Sequence, residues 1–262
     1  MRQEKLCFNH ADINKISICF TWDDNCYAHI RLIAPQFLRR GFKCTFYVNP
    51  GKEGFNEKFA SGYRELARQG FEIGSHSYDH VRLTGLKEGE PEHQIKASAD
   101  GIFKSIGVYP TTFAFPYHDF DEHTLSVARL YHLETRNTLR GSVRFGVSTN
   151  SAPEEMFGAV RECVSAGQNI VFSGHSAVSD LKELSLPGCG YEPILLDNLN
   201  ALLDMIQTVE KCAQVLMLEQ AALKEYIISN CEIAGNTYAL TSEQAEYLSA
   251  FGIDPGKLSR LI

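Results

Sequence analysis

Apolar residues along this chain gather in short β-rich runs, each followed by a longer stretch whose apolar positions recur with a helical period. KISICFTW (15–22) precedes YAHIRLIAPQFLRRG, which stops at Gly41, and KCTFYV (43–48) precedes NEKFASGYRELARQG, stopped by Gly70. FEIGS (71–75) precedes a helical pattern over 92–107. The alternation continues through TTFAF (111–115), a helix over 121–132, LETRN (133–137), QNIVFSG (168–174), a helix over 196–211, AQVLML (213–218) and EQAALKEYII (219–228). Strands alternating with glycine-stopped helices predict parallel βαβ units, arranged as a sheet or as a (β/α) barrel.

In such folds chemistry gathers at the C-terminal ends of strands, where loops converge. The first strand ends in two adjacent acids, Asp23 and Asp24. Adjacent carboxylates repel, but a cation between them would keep both ionised, so that one could bind it and the other stay free as a base. A strand sends neighbouring side chains to opposite faces, so the chain is expected to turn at this pair, and Asn25 tolerates turn conformations.

After the strand FEI comes GSHSYDH, with His76 and His80 spaced i, i+4. One turn of helix there would bring both rings to one side. That spacing suits a divalent metal, and Asp24 would complete a two-His, one-carboxylate set with open positions for water and substrate. The competing reading is a pair of surface or hydrogen-bonded histidines. Pro116–Tyr117 and His175 stand at two further strand ends, as candidates for a shaped turn and a second proton carrier. His10, His29, His93, His123 and His132 lack partners in sequence and read as ordinary, and Cys26 reads as a small buried thiol.

Composition narrows the field. A net charge of −7 argues against a nucleic-acid or anionic-membrane surface. No apolar run approaches a membrane span. The 8 Cys are scattered without a CxxC pair, and the N-terminal MRQEKLCFNHADINK has no apolar signal core. The expectation is reduced thiols in a cytoplasmic protein.

Taken in order, these motifs resemble those of the polysaccharide deacetylase family, the NodB-homology carbohydrate esterases. TWDDN resembles the family's first motif, HSYDH its second, FAFPYH its third and IVFSGH its fifth, over roughly residues 16 to 230. The resemblance implies a distorted (β/α) barrel that removes an N-acyl group, expected to be acetyl, from a sugar or cell-wall-type substrate. It implies one divalent metal on Asp24, His76 and His80, with zinc expected and cobalt, nickel or iron as alternatives. Asp23 would be the general base, the Tyr117 backbone N–H would hold the oxyanion, and His175 would protonate the leaving amine. The alternatives are a hydrolase of a small amide, formamide or cyclic imide on the same scaffold, and a carbohydrate-binding protein without turnover. A non-haem iron oxygenase is disfavoured because its common HxD order is absent.

The chain departs from the family at Ala114, where the third motif has Arg, and at His118, where it has Gly; a fourth motif is missing from RFGVSTNSAPEEMF. Arg136, at the end of LETRN, is expected to reach Asp23 and replace the lost arginine, against the alternative of a rim arginine pairing with Glu134. Residues 1–232 are read as the catalytic domain and 233–262 as a helical extension. In the extension, Thr241 with Gln244 and Asp254 with Pro255 start two short helices. The extension is expected to pack on the barrel, with a homo-oligomer through it as the alternative.

Overall fold

The computed structural model describes residues 5–7, 12–185, 190–234 and 237–257. Alternation within the first strand, β1 (Ile16–Trp22), divides the molecule into an outer and an inner layer. Ile16, Ile18, Phe20 and Trp22 share one apolar cluster with residues of the surrounding helices, such as Phe37, Val160 and Leu202. Cys19, on the other face, shares a second cluster with Tyr47 and Val171. Burying each large outer side chain contributes about 1.5–3 kcal/mol, which fixes the register, since a slip of one residue would exchange the two faces.

The other strands of the β1 sheet are β2 (Thr45–Val48), β3 (Glu72–Ser75), β4 (Thr112–Phe113), β5 (Glu134–Thr135), β6 (Ser142–Gly146), β7 (Asn169–Gly174) and β8 (Ala213–Leu216). They form an eight-stranded sheet in the order β5-β4-β3-β2-β1-β7-β6, with β8 also paired to β1. Every pairing in it is parallel. The expected distorted (β/α) barrel is the architecture found. β2 joins β1 only at Thr21 and Trp22, whereas β8 pairs with Ile16 to Cys19, and β7 occupies the other edge. The wedge between β8 and β2 admits the start of helix α7 (Leu218–Asn230, numbered with the helices below). There the Leu218 N–H donates to Thr45 Oγ1 at 2.9 Å and the Glu219 N–H donates to Glu72 at 2.9 Å. Buried Glu72 thus supplies acceptor oxygens to a helix N-terminus, and burial pushes its own pKa up.

The helices preceding it are α1 (Ala34–Leu38), α2 (Glu57–Arg68), α3 (Glu90–Ile106), α4 (Glu122–Tyr131), α5 (Pro153–Ala166) and α6 (Leu196–Gln207). The expected helix over 27–41 begins instead as a π-helical turn, His29–Ile33, in which the Ala34 N–H bonds to the His29 carbonyl. Pro35 has no N–H to give, which favours the wider register beside it. β6 and α5 lie in the stretch that the pattern of apolar residues left blank. Val143 and Arg144 of β6 are exposed at the sheet edge, so no buried run announces the strand.

In the extension, α8 (Ser242–Ala250) has the expected Thr241–Gln244 capping box. The second expected helix is a single 3₁₀ turn over Pro255–Lys257; residues 258–262 lie outside the described residues, as does His10. Tyr238, Leu248, Phe251 and Ile253 share the inner cluster with α7, so these side chains are buried within the same chain. The expected 232/233 boundary falls inside the strand Glu232–Ala234, which pairs with Thr237–Ala239.

Candidate metal centre and its proton-transfer groups

Polar side chains stand just beyond β1, β2, β3, β5 and β7, namely Asp23, Asn49, His76, Arg136 and His175, and three loops at these ends are tied together by two asparagines. Asn25 Nδ2 donates to the Asn49 carbonyl at 2.7 Å, and the Asn49 N–H returns a bond to Asn25 Oδ1 at 3.0 Å. Asn49 Nδ2 also donates to the carbonyls of His76 and Ser77. These bonds hold the chain in left-handed conformations at Asp24 (φ 78°), Asn25 (φ 53°) and Ser77 (φ 64°). Non-glycine residues take such angles at a cost, and their concentration here marks a place where structure over-determines the backbone. The expected turn at Asp23–Asp24 is present. The expected helical turn between His76 and His80 is not: the segment is irregular, and positive φ at Ser77 and at His80 (φ 58°) brings the rings together instead.

Asp24, His76 and His80 each offer a ligand atom, all within 4.8 Å of one another. Asp24 Oδ1 lies 3.1 Å from His80 Nε2, 3.8 Å from His76 Nε2 and 3.2 Å from Lys52 Nζ. The oxygen is buried and accepts no well-directed hydrogen bond, so beyond its ion pair with Lys52 it keeps lone-pair capacity that a metal ion would use. His76 Nδ1 donates to the Ala114 carbonyl at 2.7 Å, which leaves the Nε2 lone pair directed at the aspartates. Burial lowers the pKa of His76, and burial followed by the His76 charge lowers that of His80 to about 4. Both rings are therefore neutral near pH 7, the form that binds a metal. By donor type, spacing and protonation, the set fits one divalent ion.

Asp23 sits beside this set, 3.7 Å from His76 Nε2, and is buried. Arg136, 1% exposed, donates from Nη1 to Asp23 Oδ1 at 2.6 Å and to Thr21 Oγ1 at 3.2 Å. Burial alone would raise the Asp23 pKa. The Arg136 charge and hydrogen bond, with His76 and His175, outweigh it and hold the carboxyl below the usual range. The guanidinium lies over the Tyr47 ring at 5.2 Å, and Tyr47 fits because Gly74 leaves room: a Cβ there would meet the ring at 2.4 Å. Ala114 and Arg136 occupy matching positions just beyond the paired strands β4 and β5, so Arg136 stands one strand along from the position where the resembled motif has Arg.

His175 follows β7, whose Gly174 carbonyl accepts from the Asp23 N–H at 2.9 Å. Gly174 is required there, since a Cβ would come within 2.8 Å of Trp22. His175 Nδ1 has no partner, in keeping with the missing fourth motif. Its backbone is held instead by His29, whose Nε2 donates to the His175 carbonyl at 2.7 Å and whose Nδ1 meets Tyr63 Oη at 2.9 Å. His29 read as ordinary in the sequence; it is fully buried and, because of burial, has a pKa lowered to about 4. Tyr117 takes φ 58° and is 57% exposed, with its ring edge against His80. Asn49 and Lys52 also escaped the sequence reading, because neither type is distinctive without coordinates.

Residues 10–135 match the polysaccharide deacetylase family. A chitin deacetylase of Arthroderma benhamiae is 29% identical over 132 residues, 49% of this chain and 35% of its own length. The peptidoglycan-N-acetylglucosamine deacetylase PgdA of Listeria monocytogenes is 32% identical over 108 residues, 41% of this chain and 22% of its own. Both matches thus span about a third or less of the relative. Among solved structures, the Xyl-CE4 domain of a multidomain xylanase from the hindgut metagenome of Trinervitermes trinervoides superposes with a TM-score of 0.58 at 15% identity. That alignment covers 85% of this chain and 94% of the domain, and it shows a shared fold. In motif order and over residues 10–135, the chain is thus similar to the polysaccharide deacetylase family.

Proposed function

We propose that the protein is a metal-dependent hydrolase that removes an acetyl group from the nitrogen of an acylated sugar. The observation that carries this reading is the convergence of Asp24, His76 and His80 beside an ionised Asp23 held by Arg136. When bound, a divalent metal would polarise the acyl oxygen and make water more acidic. Asp23, fixed in one rotamer, takes the proton from water as it adds to the acyl carbon. The Tyr117 backbone N–H serves the developing oxyanion. His175 gives a proton to the nitrogen as the C–N bond breaks, so that acetate and a free amine leave. Relatives named as chitin and peptidoglycan deacetylases support the acetylated-sugar class.

Zinc is the metal proposed, from the two imidazoles and one carboxylate. A reducing compartment is the location proposed, since the buried thiols Cys19, Cys26, Cys44 and Cys163 are free, and there a soluble acylated sugar is a more accessible substrate than a polymer. The test is acetate release by zinc-loaded protein from N-acetylglucosamine and its short oligomers, run beside formamide and cyclic-imide substrates. Turnover confined to the formamides or imides would replace this reading by the small-amide one.

A further inference from the structure

The cations around the site exceed what its two carboxylates need. Asp23 is matched by Arg136 at 2.6 Å, and Asp24 by Lys52 at 3.2 Å, before any metal adds positive charge. Arg144 remains. Register places it opposite Val171, so it shares the inner face of the sheet with Val171, a residue of the inner cluster. It is near enough to Arg136 and Asp23 for both charges to act on it, and near enough to act on His118. It is open to solvent, and among the described residues it makes no hydrogen bond or ion pair.

An arginine on the rim of an ordinary sheet is usually just solvated. This one is partly desolvated and has a like charge, Arg136, nearby, and both disfavour its cation until an anion arrives. A second donor stands with it. His118 Nδ1 lies 3.4 Å from Arg136 Nη2, and the tautomer that accepts there carries its proton on Nε2. Burial, then the Arg136 and Arg144 charges, lower the His118 pKa to about 4, so the ring is a neutral donor near pH 7. Against an overall charge of −7, such a cationic mouth gives an anionic ligand a local point of attraction.

We infer that Arg144, assisted by His118, binds an anionic substituent of the substrate, a carboxylate or a phosphate, beside the acyl group to be removed. This rests on the deacetylase reading and narrows its substrate to a negatively charged acylated sugar. A guanidinium paired with either anion makes short, charge-assisted bonds, frequently bidentate.

The probes are N-acetylglucosamine, its 6-phosphate and N-acetylmuramic acid, the last two separating phosphate from carboxylate. With the zinc-loaded protein, kcat/KM for at least one anionic probe is expected to exceed that for the neutral sugar by about tenfold or more. In Arg144→Met that ratio should collapse towards one, with the change in KM, while Arg144→Lys retains part of it. A variant that lowers all three probes together, leaving the ratio unmoved, would show a structural role and overturn the inference. Calorimetric binding of the same probes gives a readout that survives failure of the deacetylase reading. Tighter binding of an anionic probe, lost in Arg144→Met, supports the anion site even without turnover, whereas equal binding of neutral and anionic sugars overturns it.

Discussion

Arg136 Nη1 donates to Asp23 Oδ1 at 2.6 Å, joining the end of the fifth strand to the end of the first across 113 residues of chain. Both partners are buried, so the pair cannot be broken on one side without leaving a charge in the interior. Arg136→Met should therefore cost about 3–5 kcal/mol of stability. It should also reduce turnover by about a hundredfold, because Asp23 would lose both its rotamer and its low pKa. Adding Asp23→Asn to Arg136→Met should return part of the stability and none of the activity. Urea unfolding of the two single variants and the double variant reads the coupling; additive losses would mean the contact is not an energetic unit.

Metal binding has its own readout in stability. A ligand that binds only the folded chain stabilises it by about 2.7 kcal/mol at a hundred times its Kd. Zinc should raise the melting temperature of the parent and leave Asp24→Asn and His76→Gln unmoved. Elemental analysis should find one ion per chain in the parent. Retention of a full equivalent by Asp24→Asn would place the ion elsewhere.

The unpartnered Nδ1 of His175 bears on proton transfer. An amide nitrogen needs a proton to leave, whereas an activated phenolate does not. His175→Ala should slow an N-acetyl substrate by roughly 10²–10⁴ and an activated acetate ester far less. Equal slowing of both would make His175 a binding residue.

Much of this site was legible because its chemistry is spelled by residue types that strands seldom end in by chance. Asp23–Asp24 and the His76–His80 spacing pointed to a cation. The loss of Arg at position 114 pointed to a substitute, and Arg136 was the guanidinium one strand away. What stayed hidden depends on three-dimensional neighbours. The clasp between Asn25 and Asn49 requires knowing that β1 and β2 are adjacent. The part played by His29 arises from a π-helical turn that no apolar period announces. β6 was missed because an edge strand with exposed Val143 and Arg144 has no buried run, and with it went the arginine that faces the mouth. The helix expected between His76 and His80 failed because spacing cannot separate a helical turn from left-handed loop residues.

Glu72 and Glu219 place two carboxyls at the opposite end of the barrel, where Glu72 caps α7 and accepts from Thr45 Oγ1 at 2.6 Å. Burial, then the Glu72 charge, push the Glu219 pKa up to about 8, against a weaker opposing hydrogen bond from Thr111. A carboxyl with a raised folded pKa binds more protons in the folded state than in the unfolded one between the two values. Its stabilising contribution is therefore complete below the unfolded value of 4.5 and is lost as pH rises through about 8. Buried neutral His29 and His132, both lowered to about 4 by burial, act in the opposite direction at the acid end. The difference between parent and Glu219→Gln reads the ionisation of the Glu219–Glu72 pair, because glutamine cannot ionise and keeps a carbonyl for Thr111. Unfolding free energies from urea titrations between pH 5 and pH 8.5 should fall in the parent relative to the variant, at no more than about 1.4 kcal/mol per pH unit. Parallel curves for the two proteins would mean that Glu219 ionises at an ordinary pH in the folded state, and that Glu72 faces water or a counter-charge rather than a second buried acid.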